Sequence, residues 1–380
     1  MNERWRRQSD WLFWGLFLVL GLYRVSLCVQ VPTHTADALR HLGFTAHLPQ
    51  EGWRFYTHVG DDFRPEAWTD VWGNLKYFYP PVTAVFFAAF AWLQFGLAPL
   101  KLVLTACDVA SALVLRRVFS PWAALVFFAN PVSMFYTSHE GQFEALQTLF
   151  ILLTALATIR RHWFGAGLLL ALSGQVKLFG FFLGPWLLEQ LLRHSGNRRT
   201  DLRRAATGFA IGVLPFAGFY VVAPKLLLFA LEGNGRRFNP FFWNPYDQSY
   251  FEWIPTWMAE WMSGVSWAIL IVAALATFLM AVRRESFTAG LPLLLFWGPL
   301  KRVAWTEFWY PIVSPGFLVC LLPRRRLAWG LLLLHTTVCV RSVMILGGAP
   351  HFGFKEPEYR VEWMATCLWR CDARTLRDTR

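Results

Sequence analysis

The sequence predicts an all-α polytopic transmembrane helical bundle with a long outer first loop. Three observations predict it. Apolar residues make up 56% of the 380 and charged residues only 16%, more apolar and less charged than a typical soluble domain. The apolar residues fall in long runs, beginning with Trp11–Val29, and a crossing helix needs about 17–25 of them in succession. The chain also carries 21 Trp and 35 Phe, and amphipathic aromatic rings favour the membrane–water boundary, so many rings fit many crossings.

The first span, Trp11–Val29, follows Arg4, Arg6 and Arg7, which hold that end in the cytoplasm. No small-residue cleavage site comes after it, so it is expected to be a retained span. Residues 30–76 are far less basic than the later connections and are expected outside. Within Thr33–Tyr56, three-and-four spacing puts Asp37, Arg40 and His41 on one face of an amphipathic helix. The apolar runs that follow are Tyr79–Leu97, Leu100–Leu115, Pro121–Tyr136, Phe143–Ile159, Phe164–Gly174, Phe179–Leu192 and Ala205–Leu231. Met262–Val282, Ala289–Leu300, Phe308–Leu322 and Leu327–Leu346 complete a set of roughly ten to twelve spans. The whole chain, 1–380, is expected to form one polytopic domain.

Arginines at Arg160-Arg161, Arg193–Arg204, Arg283-Arg284 and Arg324–Arg326 mark cytoplasmic turns. If every run crossed, Arg160-Arg161 would fall outside. One run must therefore be re-entrant or half-length. Asn130-Pro131 breaks Pro121–Tyr136 in its middle, so that run is the expected exception.

The net charge of +12 is concentrated between apolar runs, which fits a membrane topology and not nucleic-acid binding. The six cysteines form no CxxC pair; Cys367 and Cys371 are four apart, with no second pair to complete a zinc site. No phosphate-binding glycine loop, HExxH or GxSxG occurs. Any group transfer must then use a donor that is itself in the membrane.

Several polar groups stand against the apolar background. Asp37, kept ionised by Arg40, suits proton acceptance at the bilayer edge; a solvated surface helix with an internal ion pair is the alternative. The stretch Asn130–Gln147 bunches His139, Glu140, Gln142 and Glu144 into one turn. Lys177 lies between apolar runs, and a lysine at a span centre costs about 2.5–3.5 kcal/mol. It snorkels, marks the turn of a short hairpin, or serves a lipid phosphate. Asp108 reads as an interhelical hydrogen-bond partner. Lys301, Arg302 and Glu307 sit at an expected outer turn, where positive charge against the usual bias calls for an anionic headgroup or phosphate.

These pieces occur in an order that resembles the GT-C membrane glycosyltransferases, and within them the dolichyl-phosphate-glucose glucosyltransferases of the N-glycan pathway. The resemblance rests on Asp37-Ala38-Leu39-Arg40-His41 followed by Leu48-Pro49 and Phe55-Tyr56. It continues through Tyr79-Pro80-Pro81-Val82-Thr83-Ala84, then Asn130-Pro131 with Gln142, then Lys177 with Pro185. Thr306-Glu307-Phe308 is a weaker fifth match. Phe78 stands where that family has an acid.

The resemblance implies an inverting hexosyl transfer from a polyprenyl-phosphate sugar to a lipid-linked glycan or another outer-face acceptor. Asp37 would be the base, Lys177 with Arg302 or Lys301 would hold the lipid phosphate, and Arg40 and His41 would position them. His139, Glu140, Gln142, Glu144 and Glu307 would contact donor or acceptor. No cofactor is expected beyond the donor lipid, and no ligand set for a divalent metal is seen. The expected partners are membrane lipids, the donor and the acceptor. The chain is short for the eukaryotic branch, which points to a bacterial cytoplasmic membrane, with the endoplasmic reticulum as the eukaryotic case. A multispan transporter or lipid-carrier flippase is the alternative, with Lys177 and Asp108 marking a substrate path.

Overall fold

The computed structural model describes residues 3–30, 36–58 and 79–222. Every element assigned among them is helical. Helix α1 (Glu3–Cys28) buries Phe13, Phe17, Arg24 and Cys28, a stripe with helical spacing. It turns Trp11, Leu18, Val19 and Leu22 outward, each more than half exposed. In water that outer face would drive aggregation; against acyl chains it is at home. By length and composition α1, the helix Leu97–Val118 and the stretch Arg198–Val222 can each cross a membrane.

In the first loop, α2 (Ala36–Thr45) is followed by short helical turns through His58. It packs on α3 (Pro81–Trp92). Helix α4 (Leu97–Val118) runs antiparallel to α1. Asp10 pairs with Arg116 at 3.0 Å at one end. Lys101 donates to the Gln30 carbonyl at 2.7 Å at the other. These contacts define an Arg116 end and a Lys101 end of the bundle.

Helix α5 (Pro121–Phe128) begins on Ser120, whose hydroxyl accepts from the Ala123 amide, with Pro121 in the first turn. It stops at Asn130-Pro131, but the chain does not turn back. The Ser133 hydroxyl donates to Asp108, the Ser138 hydroxyl lies 3.0 Å from that of Thr105, and the His139 carbonyl accepts from Lys101 at 2.9 Å. Residues 120–139 therefore climb the length of α4, about 25 Å from Val118 to Lys101. The expectation that Pro121–Tyr136 is re-entrant is corrected: it is a broken crossing. The break is tolerated because the freed Phe128 carbonyl accepts from Arg24 Nε at 3.1 Å and Nη2 at 2.9 Å.

Among the described residues, the run that does not travel the length of the bundle is Tyr79–Leu97. Helix α3 is only about 18 Å long. Near its start Thr83 donates to the Val176 carbonyl at 2.8 Å, and four residues after its end the chain enters α4 at the Lys101 end. Both ends of α3 thus lie at the same end of the bundle, beneath α2.

Helix α6 (Glu144–Ile159) descends from the Lys101 end to Arg160-Arg161, and α7 (Trp163–Val176) returns. A 3₁₀ segment (Leu178–Leu183), α8 (Gly184–His194), α9 (Arg198–Val213) and short helical turns through Val222 complete the described bundle. Helices α7 and α9 cross at backbone contact. A Cβ on Gly167 would strike the Ala205 carbonyl, and one on Gly208 the Phe164 carbonyl. A Cβ on Gly212 would fall 2.7 Å from Ala171 Cβ, so the crossing is built on small residues four apart. Arg116, Arg117, Arg160, Arg161, Arg198 and Arg199 share one end, as the positive-inside bias requires if that end faces the cytoplasm.

Candidate functional site

The buried polar groups gather at the Lys101 end. On α2, Ala38, His41, Phe44 and Thr45 are buried. The His41 ring lies on Phe87 at 4.5 Å, meets Tyr79 edge-on at 4.5 Å, and meets Phe143 edge-on at 5.2 Å. This helix is therefore docked, not a solvated surface helix. Tyr56 fastens the loop by donating to the Tyr79 carbonyl at 2.6 Å, which joins two of the segments the sequence singled out. Asp37 and Arg40 belong to the first turns of α2.

The turn beneath α2 depends on Gly141, whose φ of 78° disfavours a side chain. A Cβ there would fall 3.2 Å from Lys101 Cγ and 3.6 Å from Ala38 Cβ, so α2 starts against this turn. Before Gly141 the chain makes a π-helical turn, Met134–His139. Such turns recur at functional sites. His139 Nδ1 lies 2.8 Å from Glu140 Oε1, and the Glu140 side chain is fully buried.

Lys177 follows α7 in extended conformation. The chain folds back at this point, with Gly180 against Ser173 and Gly174 against Phe181, so Lys177 does mark a short hairpin. Its ammonium pairs with Glu144. It also lies 4.6 Å from the Phe143 ring and 5.7 Å from the Tyr79 ring. Gln147 donates to the Lys177 carbonyl at 2.8 Å. Glu144 Oε2 and Gln147 Oε1 are buried acceptors with no hydrogen-bond partner among the described residues. His41 and Lys177 thus meet the same two rings.

Behind the turn sits a group that the sequence announces only through Asp108. Arg24 Nη1 reaches Asp108 at 2.8 Å and Ser138 at 3.1 Å, Nη2 reaches Ser133 at 2.9 Å, and the Phe128 carbonyl takes the rest. All five guanidinium donors are engaged in a site with no exposure. Lys101, 1% exposed, donates to the Gln30 and His139 carbonyls. Sequence reasoning passed over Arg24 and Lys101. The available signal was a charge inside an apolar run, which demands a partner.

The structure brings His139, Glu140, Gln142, Glu144 and Lys177 together beside the helix that holds Asp37, Arg40 and His41. Lys301, Arg302 and Glu307 lie outside the described residues. No group of three or more His, Cys, Asp or Glu side chains placed to hold a metal occurs among the described residues.

A bundle that turns apolar faces outward and gathers a cluster of buried polar and charged side chains beneath a docked loop suits chemistry on a substrate that stays in the lipid. Sequence comparison agrees, and the class is a membrane glycosyltransferase. A family model, Glycosyltransferase family 87, matches residues 77–298, more than half of the chain, and the chain belongs to that family. Neither the curated proteins nor the solved structures contain a match. The family supports the glycosyltransferase superfamily inferred from sequence and favours a transferase over a transporter. It does not single out the dolichyl-phosphate-glucose branch.

Proposed function

We propose that the protein moves a hexose from a polyprenyl-phosphate sugar to a lipid-linked glycan or other acceptor at the outer face, with inversion. The membrane is the bacterial cytoplasmic membrane, or the endoplasmic reticulum in a eukaryote. Asp37 accepts the proton of the acceptor hydroxyl, whose oxygen attacks the anomeric carbon. Lys177 serves the departing lipid phosphate, with Lys301 or Arg302 as a second cation. Glu144 holds the lysine in place through their ion pair. A fixed cation in a low-dielectric site stabilises the negative charge that develops on the leaving group. Glu144 Oε2 and Gln147 Oε1 are acceptors suited to sugar hydroxyls, and Tyr79 and Phe143 offer faces to the ring. Gln142 and Glu307 complete the contacts, while Arg40 and His41 position Asp37.

The observation that carries this reading is the meeting of α2 and Lys177 on Tyr79 and Phe143. The test supplies purified protein with a panel of polyprenyl-phosphate glucose, mannose, arabinose and galactosamine donors and follows lipid-phosphate release. Asp37→Asn is expected to lower turnover by roughly 10²–10⁴-fold, the usual worth of a general base, with unchanged detergent stability. An Asn variant of full activity removes the base assignment. Release from none of the donors removes the donor class.

A further inference from the structure

The backbone of Lys177 is held as closely as its ammonium. Helix α7 stops at Val176, and Lys177 is extended, with φ −149° and ψ 146°. No proline stands at the break. Had the helix run on, the Val176 carbonyl would accept from the Gly180 amide, four residues later. Instead that amide donates to the Lys177 carbonyl at 3.1 Å, a 3₁₀ step. The Val176 carbonyl accepts from the Thr83 hydroxyl at 2.8 Å, and the Lys177 carbonyl accepts a second bond from Gln147 Nε2 at 2.8 Å. Side chains from two other helices therefore supply what α7 gives up. Thr83, Gln147 and Val176 have no exposed surface. Without water at hand, these donors are what lets the break persist.

The same two helices hold the charged end of the side chain. Thr83 is in the first turn of α3, and just before that helix the Tyr79 ring lies 5.7 Å from the Lys177 ammonium. Gln147 is three residues beyond Glu144 on one face of α6, and Glu144 pairs with that ammonium. Phe143, immediately before α6, lies 4.6 Å from it. Backbone and charge are thus fixed to one frame. If Lys177 joined α7 instead, its Cβ direction would be set by that helix and not by these contacts. The short α3, which stays at one end of the bundle, is what places Thr83 and Tyr79 beside the lysine.

We propose that Thr83 and Gln147 are positioning residues of the transfer. By taking the carbonyls of Val176 and Lys177 they keep the chain extended at the end of α7, and so set where the Lys177 ammonium meets a lipid phosphate. The inference rests on the lipid-phosphate role of Lys177 proposed above. Neither side chain needs to touch the phosphate. A fixed cation stabilises developing charge because it needs no reorganisation at the moment of reaction, so the same lysine on a loosened backbone does less.

The test measures binding of undecaprenyl phosphate and of undecaprenol, the same lipid without its phosphate, to the full-length protein in nanodiscs. Neither probe carries a sugar, so the Gln147 Oε1 acceptor does not enter. Wild type is expected to prefer the phosphate by about tenfold or more, the usual worth of a hydrogen bond to a charged group. Lys177→Met should lose most of that preference. Thr83→Val keeps the shape and removes the hydroxyl; Gln147→Met keeps the length and removes the amide. Each should lower the preference roughly threefold to tenfold and leave undecaprenol binding unchanged, while Thr83→Ser should keep it. Equal binding of the two probes by wild type, or a full preference in Lys177→Met, defeats the phosphate contact of the reading above and the positioning with it. Loss in Lys177→Met beside a full preference in Thr83→Val and Gln147→Met overturns the positioning alone. An equal fall for both probes in those two variants also overturns it, since a loosened bundle does not read the phosphate. A Thr83→Ser variant that behaves as Thr83→Val does the same. Each of the two variants carries the test by itself, so failure of one to fold leaves the other.

Discussion

Two buried ion pairs stand at different depths in the bundle, and they are built differently. Arg24–Asp108 has no exposed side-chain surface, and every guanidinium donor has an acceptor on α4, on the carbonyl of Phe128 or on the turn around Ser133–Ser138. Lys177–Glu144 keeps 12% and 5% exposure, lies against two aromatic faces, and leaves Glu144 Oε2 without a hydrogen bond among the described residues. Asp108 Oδ1, like Glu144 Oε2, has no hydrogen-bond partner among the described residues, so the two pairs differ in depth. A fully engaged guanidinium with no exposure holds helices together; a lysine pair at the rim keeps a charge and an acceptor within reach of a substrate.

The largest expected effect breaks the deeper pair. Asp108→Ala leaves a buried guanidinium uncompensated and is expected to lower stability by about 3–5 kcal/mol. Thermal unfolding in detergent measures it. Arg24→Met combined with Asp108→Leu removes both charges and should recover much of that loss. A double variant no better than the single one would mean that the hydrogen bonds to Phe128, Ser133 and Ser138 matter more than the charge.

Next comes the rim pair. Lys177→Ala is expected to lower donor-dependent turnover by roughly 10²–10³-fold, comparable to loss of one fixed group facing a developing charge. Its unfolding temperature should move far less than that of Asp108→Ala. Equal destabilisation by the two substitutions would erase the distinction between them. The smallest effect sharpens the comparison from outside either pair. Gly208→Leu forces α9 away from the Phe164 carbonyl and should cost about 1–3 kcal/mol of stability. Activity per folded molecule should hold, because the Gly208–Phe164 contact lies at the Trp163 end of α7, away from Lys177. A matching loss of turnover per folded molecule would show that this crossing also sets the position of Lys177.

The comparison also explains what could be read early and what could not. Asp108 is visible in sequence as a charge in an apolar run, but its partner Arg24 lies 84 positions away in another run, and nothing local joins them. The same holds for Lys177 and Glu144, which are 33 positions apart. Asn130-Pro131 correctly announced a broken helix, since proline lacks a donor. Whether the chain then turned back or continued depended on Arg24 capping the Phe128 carbonyl, a contact 104 positions long.

Hydropathy, basic punctuation and proline placement are sums over neighbouring residues, so the sequence by itself determined the helical membrane class and the crowded turn from His139 to Glu144. Register between helices is set by side chains that meet across the bundle. Only the tertiary structure decided that α3 lies across one end, that Lys101 fastens the turn, and that Glu140 fixes the His139 ring. In a medium without water, each buried charge must find its partner within the protein. That partner is a property of the packed bundle, and no stretch of chain contains both.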